Sequence, residues 1–175
     1  MRPSLLLLAL VPLAACAEHR ADTGAVLPGG RVATAALADA TGRPVGRATA
    51  REVTGGVRVT LDVRGMLPGT HGAHLHTVGS CVAPDFASAG GHWNPAGTKH
   101  GSMNPQGPHA GDLPNLIVGT DGRGTLGIVL AGATIGGMLD ADGTAIVVHA
   151  SADDLMTDPS GNSGGRIACG VLRAG

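Results

Sequence analysis

Val57-Arg58-Val59-Thr60-Leu61-Asp62-Val63-Arg64 alternates apolar and polar residues without a break. Side chains of an extended chain point to opposite faces in turn, so one face of this stretch is apolar and the other polar. That is the pattern of an antiparallel strand with one side on a core and the other in water. Upstream, the periodicity predicts weaker strands over 31–39 and 45–53, parted at Thr41-Gly42, and Thr54-Gly55-Gly56 turns the second into the quoted stretch. Downstream, strands are expected over 72–78, 116–120, 125–130, 144–149 and 166–172. Asp121-Gly122 is a good hairpin turn and is expected to join 116–120 to 125–130. Residues 79–112 and 150–165 carry no strand pattern, and irregular loops of such length are usually functional or disordered. No long helical pattern and no internal repeat is found. Eight short strands with two long loops predict an all-β fold, a flattened Greek-key β-barrel or sandwich.

Composition agrees with a fold rich in turns and poor in aromatics: 30 glycines, 11 prolines, one Phe, one Trp and no Tyr. The core must therefore be built from Val, Ile, Leu and Ala. The N-terminus reads as an export signal. A short basic start at Arg2 precedes an apolar run from Leu5 to Leu13, too short for a settled spanning helix. It ends in Leu13-Ala14-Ala15-Cys16, which resembles a bacterial lipoprotein cleavage box with Cys16 lipidated as the mature N-terminus. An ordinary secretory signal cut nearby is the alternative. Both place the mature protein outside the cytosol, and lipidation would hold it at a membrane without a spanning helix. The expected organisation is a leader over 1–15, a lipidated cysteine and flexible tether over 16–30, and one domain over 31–175. Loss of Arg2 with the leader leaves 11 basic and 13 acidic residues, with no basic surplus to hold nucleic acid. Setting Cys16 aside leaves Cys81 and Cys169, which in an exported protein read as a disulfide rather than two free thiols.

Seven of the eight histidines lie in the domain, led by His74-Leu75-His76; the eighth, His19, falls in the tether. Imidazole is the commonest metal ligand, and histidines at i and i+2 of a strand share a face. His71 precedes the pair; His92, His100, His109 and Asp112 follow, then His149. This density of nitrogen donors makes a metal site the first functional hypothesis, and its spacing points to more than one ion.

Three stretches carry a resemblance: Gly72-Ala73-His74-Leu75-His76; Gly91-His92-Trp93-Asn94-Pro95 through His109-Ala110-Gly111-Asp112-Leu113; and Val147-Val148-His149 with Arg166-Ile167-Ala168-Cys169-Gly170-Val171. Together they resemble the copper/zinc superoxide dismutase family over about residues 31–173. The resemblance implies a copper ion on His74, His76, His92 and His149, and a zinc ion on His92, His100, His109 and Asp112, with His92 bridging the two. Four imidazoles suit copper cycling between Cu(II) and Cu(I), whereas three imidazoles and a carboxylate close a structural zinc site. It implies that Asp153 links the outer nitrogens of His74 and His100, unless Asp153 or Asp154 only caps a turn. His71 would pack beside the copper strand. Arg166 would guide the anionic substrate, superoxide, to copper; its plainer reading is a surface arginine. The products would be dioxygen and hydrogen peroxide. Trp93 stands where the family often has phenylalanine, and the loop over 150–165 lacks the lysine and glutamate cluster of the animal enzymes. The residues leave the oligomeric state open. A metal buffer without turnover would use the same ligands and would have no use for Arg166.

Overall fold

The computed structural model describes residues 24–175. The leader, Cys16 and His19 lie outside the described residues. Three strands form a meander: β1 (Val32–Asp39), β2 (Pro44–Val53) and β3 (Gly56–Val63). The quoted stretch is β3, with Val57, Val59, Leu61 and Val63 buried and the residues between them not. Tight turns make the meander. Gly42 (φ 84°) and Gly55 (φ 82°) occupy the left-handed region, where a Cβ would strain the backbone. Asp39 Oδ1 accepts the Thr41 backbone N–H at 2.9 Å, closing the first turn.

The chain then crosses to β4 (Gly69–His71) and β5 (Ala73–His76), returns through β6 (Leu116–Val118) and β7 (Gly124–Ala131), and crosses again to β8 (Ala145–His149), β9 (Arg166–Val171) and β10 (Arg173–Ala174). A one-turn helix, α1 (Ile135–Met138), lies in the second crossing, capped by the Thr134 hydroxyl, which accepts the Gly137 N–H at 3.0 Å. The main sheet runs β5-β8-β9-β1-β2-β3-β7, with β10 on β1, and β4 pairs with β6 in a second ladder. β4 continues into β5, and β6 leads into β7 against which it packs. The short ladder therefore draws the two ends of the main sheet together, and the curled sheet becomes a flattened barrel.

Two local expectations are corrected. The strand expected over 72–78 is shorter, β5 at Ala73–His76, and an unexpected strand, β4, precedes it; Gly72 between them donates to Ser151 O and accepts from His149 N–H, both at 2.8 Å, so β4 and β5 serve different sheets. The expected hairpin keeps its turn, with Gly119 N–H donating to Arg123 O at 2.8 Å, but not its ladder. β6 pairs with β4, and β7 pairs along its whole length with β3. Residues 24–30, read from sequence as the end of a tether, run beside β2: Val26 bridges Val53, and Gly24 O accepts Arg58 Nη2 at 2.6 Å.

The core between the layers is aliphatic, with Leu37, Leu61, Leu75, Leu116, Ile146 and Leu172 almost wholly enclosed. Each such side chain contributes roughly 1.5–3 kcal/mol by leaving water. Ala35, Ala48 and Ala50 let the sheets approach closely. Alternation on β8 decides where function can sit. Ile146 and Val148 enter this core, while Ala145 and Val147 pack with Phe86, Ala89 and Cys169 on the other side, the side His149 shares.

Candidate metal centre

His74 and His76 occupy β5 with Leu75 between them, and Leu75 is fully buried in the core. Strand pleat therefore turns both imidazoles to the outer face of the β5–β8 layer. The loop over 77–115 covers them, bound edgewise to β5: Leu75 N–H donates to Gly111 O, and Trp93 N–H to Leu75 O, each at 2.8 Å. His149 ends β8 at a register shift between Val148 and His149, an irregularity of the kind that re-aims a side chain.

Hydrogen bonds set the tautomer of each ring. His74 Nε2 donates to Asp153 Oδ2 at 2.7 Å, His76 Nδ1 to Gly90 O at 3.0 Å, and His149 Nδ1 to Gly164 O at 3.1 Å. The opposite nitrogen of each neutral ring then carries a lone pair. Those nitrogens, His74 Nδ1, His76 Nε2 and His149 Nε2, together with His92 Nε2, are buried and meet no protein partner. Donor atoms of the four residues lie within 4.8 Å of one another. Buried polar atoms without partners are rare in folded proteins, and four converging lone pairs are the chemistry of a soft-to-borderline cation.

A second set converges beside it on one oxygen. Asp112 Oδ1 lies 2.9 Å from His92 Nδ1, 3.1 Å from His100 Nδ1 and 3.2 Å from His109 Nδ1; His92 and His109 Nδ1 are 3.3 Å apart. His100 Nε2 donates to Asp153 Oδ1 at 3.0 Å, so its Nδ1 turns a lone pair toward the Asp112 carboxylate. That contact is repulsive by itself and favourable around a cation. Ligands 2.0–2.1 Å from a tetrahedral zinc are separated by about 3.3 Å, close to the spacing found here. The residues present therefore fit both ions. Asp112 Oδ2 is held in turn by the N–H groups of Gly101 (2.9 Å) and His109 (3.0 Å).

Electrostatics prepare these groups for metal. Burial holds His76 down at about 2, against a smaller upward pull from Gly90 O, and His149 down at about 4. His74 is lowered too, by burial first. Burial raises Asp112, but the His92 hydrogen bond, the Gly101 N–H and the neighbouring imidazoles outweigh it and keep the carboxyl ionised. Asp153 is lowered in the same way by His74 and His100. The site thus offers neutral imidazoles and charged carboxylates at neutral pH, the forms a metal requires. These shifts also set a pH dependence. Unfolded histidines bind protons below about pH 6.5, whereas native His76 and His149 refuse them down to about 2 and 4. Their contribution is present above pH 6.5 and is lost as pH falls, by roughly 1 kcal/mol per pH unit for each. Denaturant unfolding of the metal-stripped protein should show a drop of about 2 kcal/mol or more from pH 7 to pH 5; a flat profile would contradict it. Asp112 and Asp153 do not enter until pH falls below the ordinary carboxylate value of 3.8.

Asp153 stands between the two sets, one oxygen to His74 and the other to His100. Three residues that the sequence reading missed place it. Asn115 clamps its backbone, accepting Asp153 N–H at 2.8 Å and donating to Asp153 O at 2.9 Å. Leu155 N–H donates to its Oδ1 at 2.6 Å. Gly161, at φ +61°, leaves the space it fills, since a Cβ there would collide with Asp153 Oδ1 and His100 Nε2. The signals were an isolated Asn and one Gly among many, so nothing local marked them. Asp154 accepts the turn N–H groups of Met156 and Thr157, whereas Asp153 accepts one turn N–H, from Leu155, and also joins His74 to His100. His71 lies between Leu67 O (3.1 Å) and His149 O (2.8 Å) and is not turned to either donor set.

A pocket of about 400 Å³ opens over His76, His92 and His149, with Arg166 and Ser160 on its wall. Arg166 Nη1 donates to Phe86 O at 2.8 Å and Nη2 to Gly90 O at 2.6 Å. Gly90 O thus ties Arg166 and His76 to one carbonyl, a link the sequence did not reveal. Cys81 and Cys169 are joined as a disulfide, Cα–Cα 5.7 Å, and pin the same loop to β9. The bridge closes a separation of 88 residues, so in the chain-entropy treatment Cys81→Ser with Cys169→Ser should lower stability by about 4–5 kcal/mol. Chemical denaturation with metals bound measures it; a loss below about 1 kcal/mol would show that the loop is held by other contacts.

Comparison with known proteins places this geometry. A family model described as copper/zinc superoxide dismutase (SODC) matches residues 45–172. A Caulobacter vibrioides protein named superoxide dismutase (Cu-Zn) is 43% identical over 148 residues, covering 81% of this chain and 85% of the relative. An Aquifex aeolicus protein named superoxide dismutase (Cu-Zn) 2 is 41% identical over 149 residues, covering 81% and 86%. Among solved structures, a SOD-like protein from Bacillus subtilis is similar with a TM-score of 0.76 and 41% identity, covering 80% of this chain and 97% of that one. The Cu/Zn superoxide dismutase of Brucella abortus is similar with a TM-score of 0.67 and 29% identity, covering 81% and 99%.

Proposed function

The chain belongs to the copper/zinc superoxide dismutase family, and from that premise we propose that it converts superoxide to dioxygen and hydrogen peroxide. Copper would be held by His74, His76, His92 and His149, and zinc by His92, His100, His109 and Asp112, with His92 serving both. The observation that carries this reading is the set of four buried imidazole nitrogens without protein partners, beside a second set converging on Asp112. Copper supplies reversible one-electron chemistry when bound, and zinc in its closed set supplies structure without redox.

The chain's own residues do the rest. Two of the Arg166 N–H groups are committed to Phe86 O and Gly90 O, which fix the guanidinium plane on the pocket wall and leave further donors for a small anion. His92 Nδ1 is held on the Asp112 side, so its Nε2 would help hold copper and, whenever it is not engaged as a ligand, could carry a proton from solvent to reduced dioxygen. Two superoxide ions and two protons give one dioxygen and one hydrogen peroxide. Asp153 keeps the protons of His74 and His100 on their outer nitrogens, and His71 braces the strand ends.

The test is superoxide consumption by purified protein loaded with both metals and with zinc alone. Turnover should need copper; equal activity in the zinc form would overturn the assignment. Arg166→Gln should keep both metals, lower kcat/KM roughly tenfold and flatten its decline with added salt. Unchanged kinetics would remove Arg166 from the reaction.

We also propose that residues 1–15 are a cleaved leader and that Cys16 is lipidated, so that the domain works in the bacterial envelope, outside the cytosol. The support is the Leu13-Ala14-Ala15-Cys16 box and the disulfide, which belongs to an oxidising compartment. Residues 24–30 are bound to β2 and β3.

A further inference from the structure

The formal net charge of the chain is −1, yet five of its arginines, Arg47, Arg51, Arg58, Arg64 and Arg123, share one surface. The outer face of β2, β3 and β7 can be read from their register. One cross-strand row is Arg51, Arg58 and Val129; the next is Thr49, Thr60 and Gly127; the third is Arg47, Asp62 and Thr125. Arg64 follows β3, and Arg123 leads into β7 at the same end. Arg47, Arg64 and Arg123, with Asp62, surround a shallow depression there. None of the ion pairs among the described residues involves Arg47, Arg51, Arg58, Arg64 or Arg123. Asp62 is the one carboxylate in these rows and accepts the Thr125 hydroxyl at 2.8 Å. Glu52 and Asp39, at the margins, are taken by Arg31 and Arg43. Arg51 and Arg58 stand directly opposite each other, a like-charge pair that opposes sheet stability. An external anionic surface would relieve it.

We propose that this arginine face docks on the anionic lipid headgroups of the membrane that holds the anchor. The inference rests on the proposed lipidation of Cys16. Eight residue steps separate Cys16 from Gly24, a reach of at most about 29 Å. Gly24 sits at the Arg58 end of the face, its carbonyl bound to that guanidinium. A domain of this size is about 38 Å across, so the anchor cannot reach round to the far side. The metal centre lies on the outer face of the opposite layer, with the aliphatic core between. Docking therefore turns the pocket of His76, His92, His149 and Arg166 toward the aqueous space. Each arginine near an anionic bilayer strengthens attachment about fivefold, and the effect falls off within a Debye length.

The test is an arginine footprint of the lipidated holoprotein in vesicles. Phenylglyoxal modification is followed by mass spectrometry, residue by residue, in phosphatidylcholine vesicles and in vesicles that also hold about 30 mol% phosphatidylglycerol. Modification of Arg47, Arg51, Arg64 and Arg123 should slow about threefold or more in the anionic vesicles and recover in about 0.5 M salt, while Arg166 is unchanged. The combined variant Arg47→Glu, Arg51→Glu and Arg123→Glu should lose the protection at Arg64. Equal rates in the two vesicle types, or protection shared by Arg166, overturns the proposal. So does equal protection by duplex DNA added to neutral vesicles, which would mark a general polyanion surface. Flotation with neutral vesicles and the mass of the N-terminal peptide report the anchor separately, so its failure is distinguishable from that of the face.

Discussion

His149→Ala is expected to release copper, keep zinc, and lower superoxide turnover by at least about a thousandfold, the order that follows when a bound metal's several kcal/mol of stabilisation is lost. The reason is geometric. His149 Nε2 faces the donors of His74, His76 and His92 and takes no part in the set around Asp112. Its other nitrogen is spent on Gly164 O, so no second atom of the ring can substitute. His109→Ala should give the mirror image, with zinc lost and copper kept, because His109 Nδ1 lies against Asp112 Oδ1 and His92 Nδ1. Metal content by mass spectrometry and a superoxide assay on the same preparations decide the matter. A His149 variant that kept copper and lost zinc would exchange the two assignments, and one that kept full activity would end the copper reading.

Asp153→Ala should weaken the binding of both metals, each by about 10–100-fold. Among the ligands themselves, only a substitution at His92, which serves both sets, is expected to do that. Asp153 supplies no donor atom to either ion; it acts through His74 and His100, holding the proton of each on Nε2 so that Nδ1 is free. Without the carboxylate each imidazole can take the other tautomer, and a proton on Nδ1 blocks coordination. Chelator competition, run for copper and zinc in turn, reads the effect, and near-ultraviolet circular dichroism of the metal-free variant reports whether the fold has survived. If only one metal weakened while the fold was intact, the carboxylate would be a partner of one site rather than the link between two.

The alternation of 57–64 was enough to make the fold all-β, because period-two burial is a local property that any neighbouring sheet must respect. The histidine pair at 74 and 76 was legible for the same reason. Resemblance in ligand order carried the rest of the donor list, and the structure brings every one of those residues together with Asp153 and Arg166. Strand pairing was less legible. A sequence that alternates does not say which strand lies beside it, so β6 was assigned to β7 when its ladder is with β4. Gly72 gave no sign that it would stand outside the ladder between two short strands, since its partners, Ser151 and His149, lie far along the chain.

By itself, then, the sequence determined the element type, the alternation of faces, the donor chemistry and the cysteine pair, all of them properties of residues and short spacings. The tertiary structure alone decided which nitrogen of each imidazole is free, since that depends on Gly90 O, Gly164 O and Asp153 reaching the opposite nitrogen. It alone showed Gly161 making room for Asp153 and one carbonyl serving both His76 and Arg166. It alone set the arginines of β2 and β3, with Arg64 and Arg123 beside them, on the side away from the donors. Tautomer, clearance and sidedness are relations between distant segments, and no spacing along the chain encodes them.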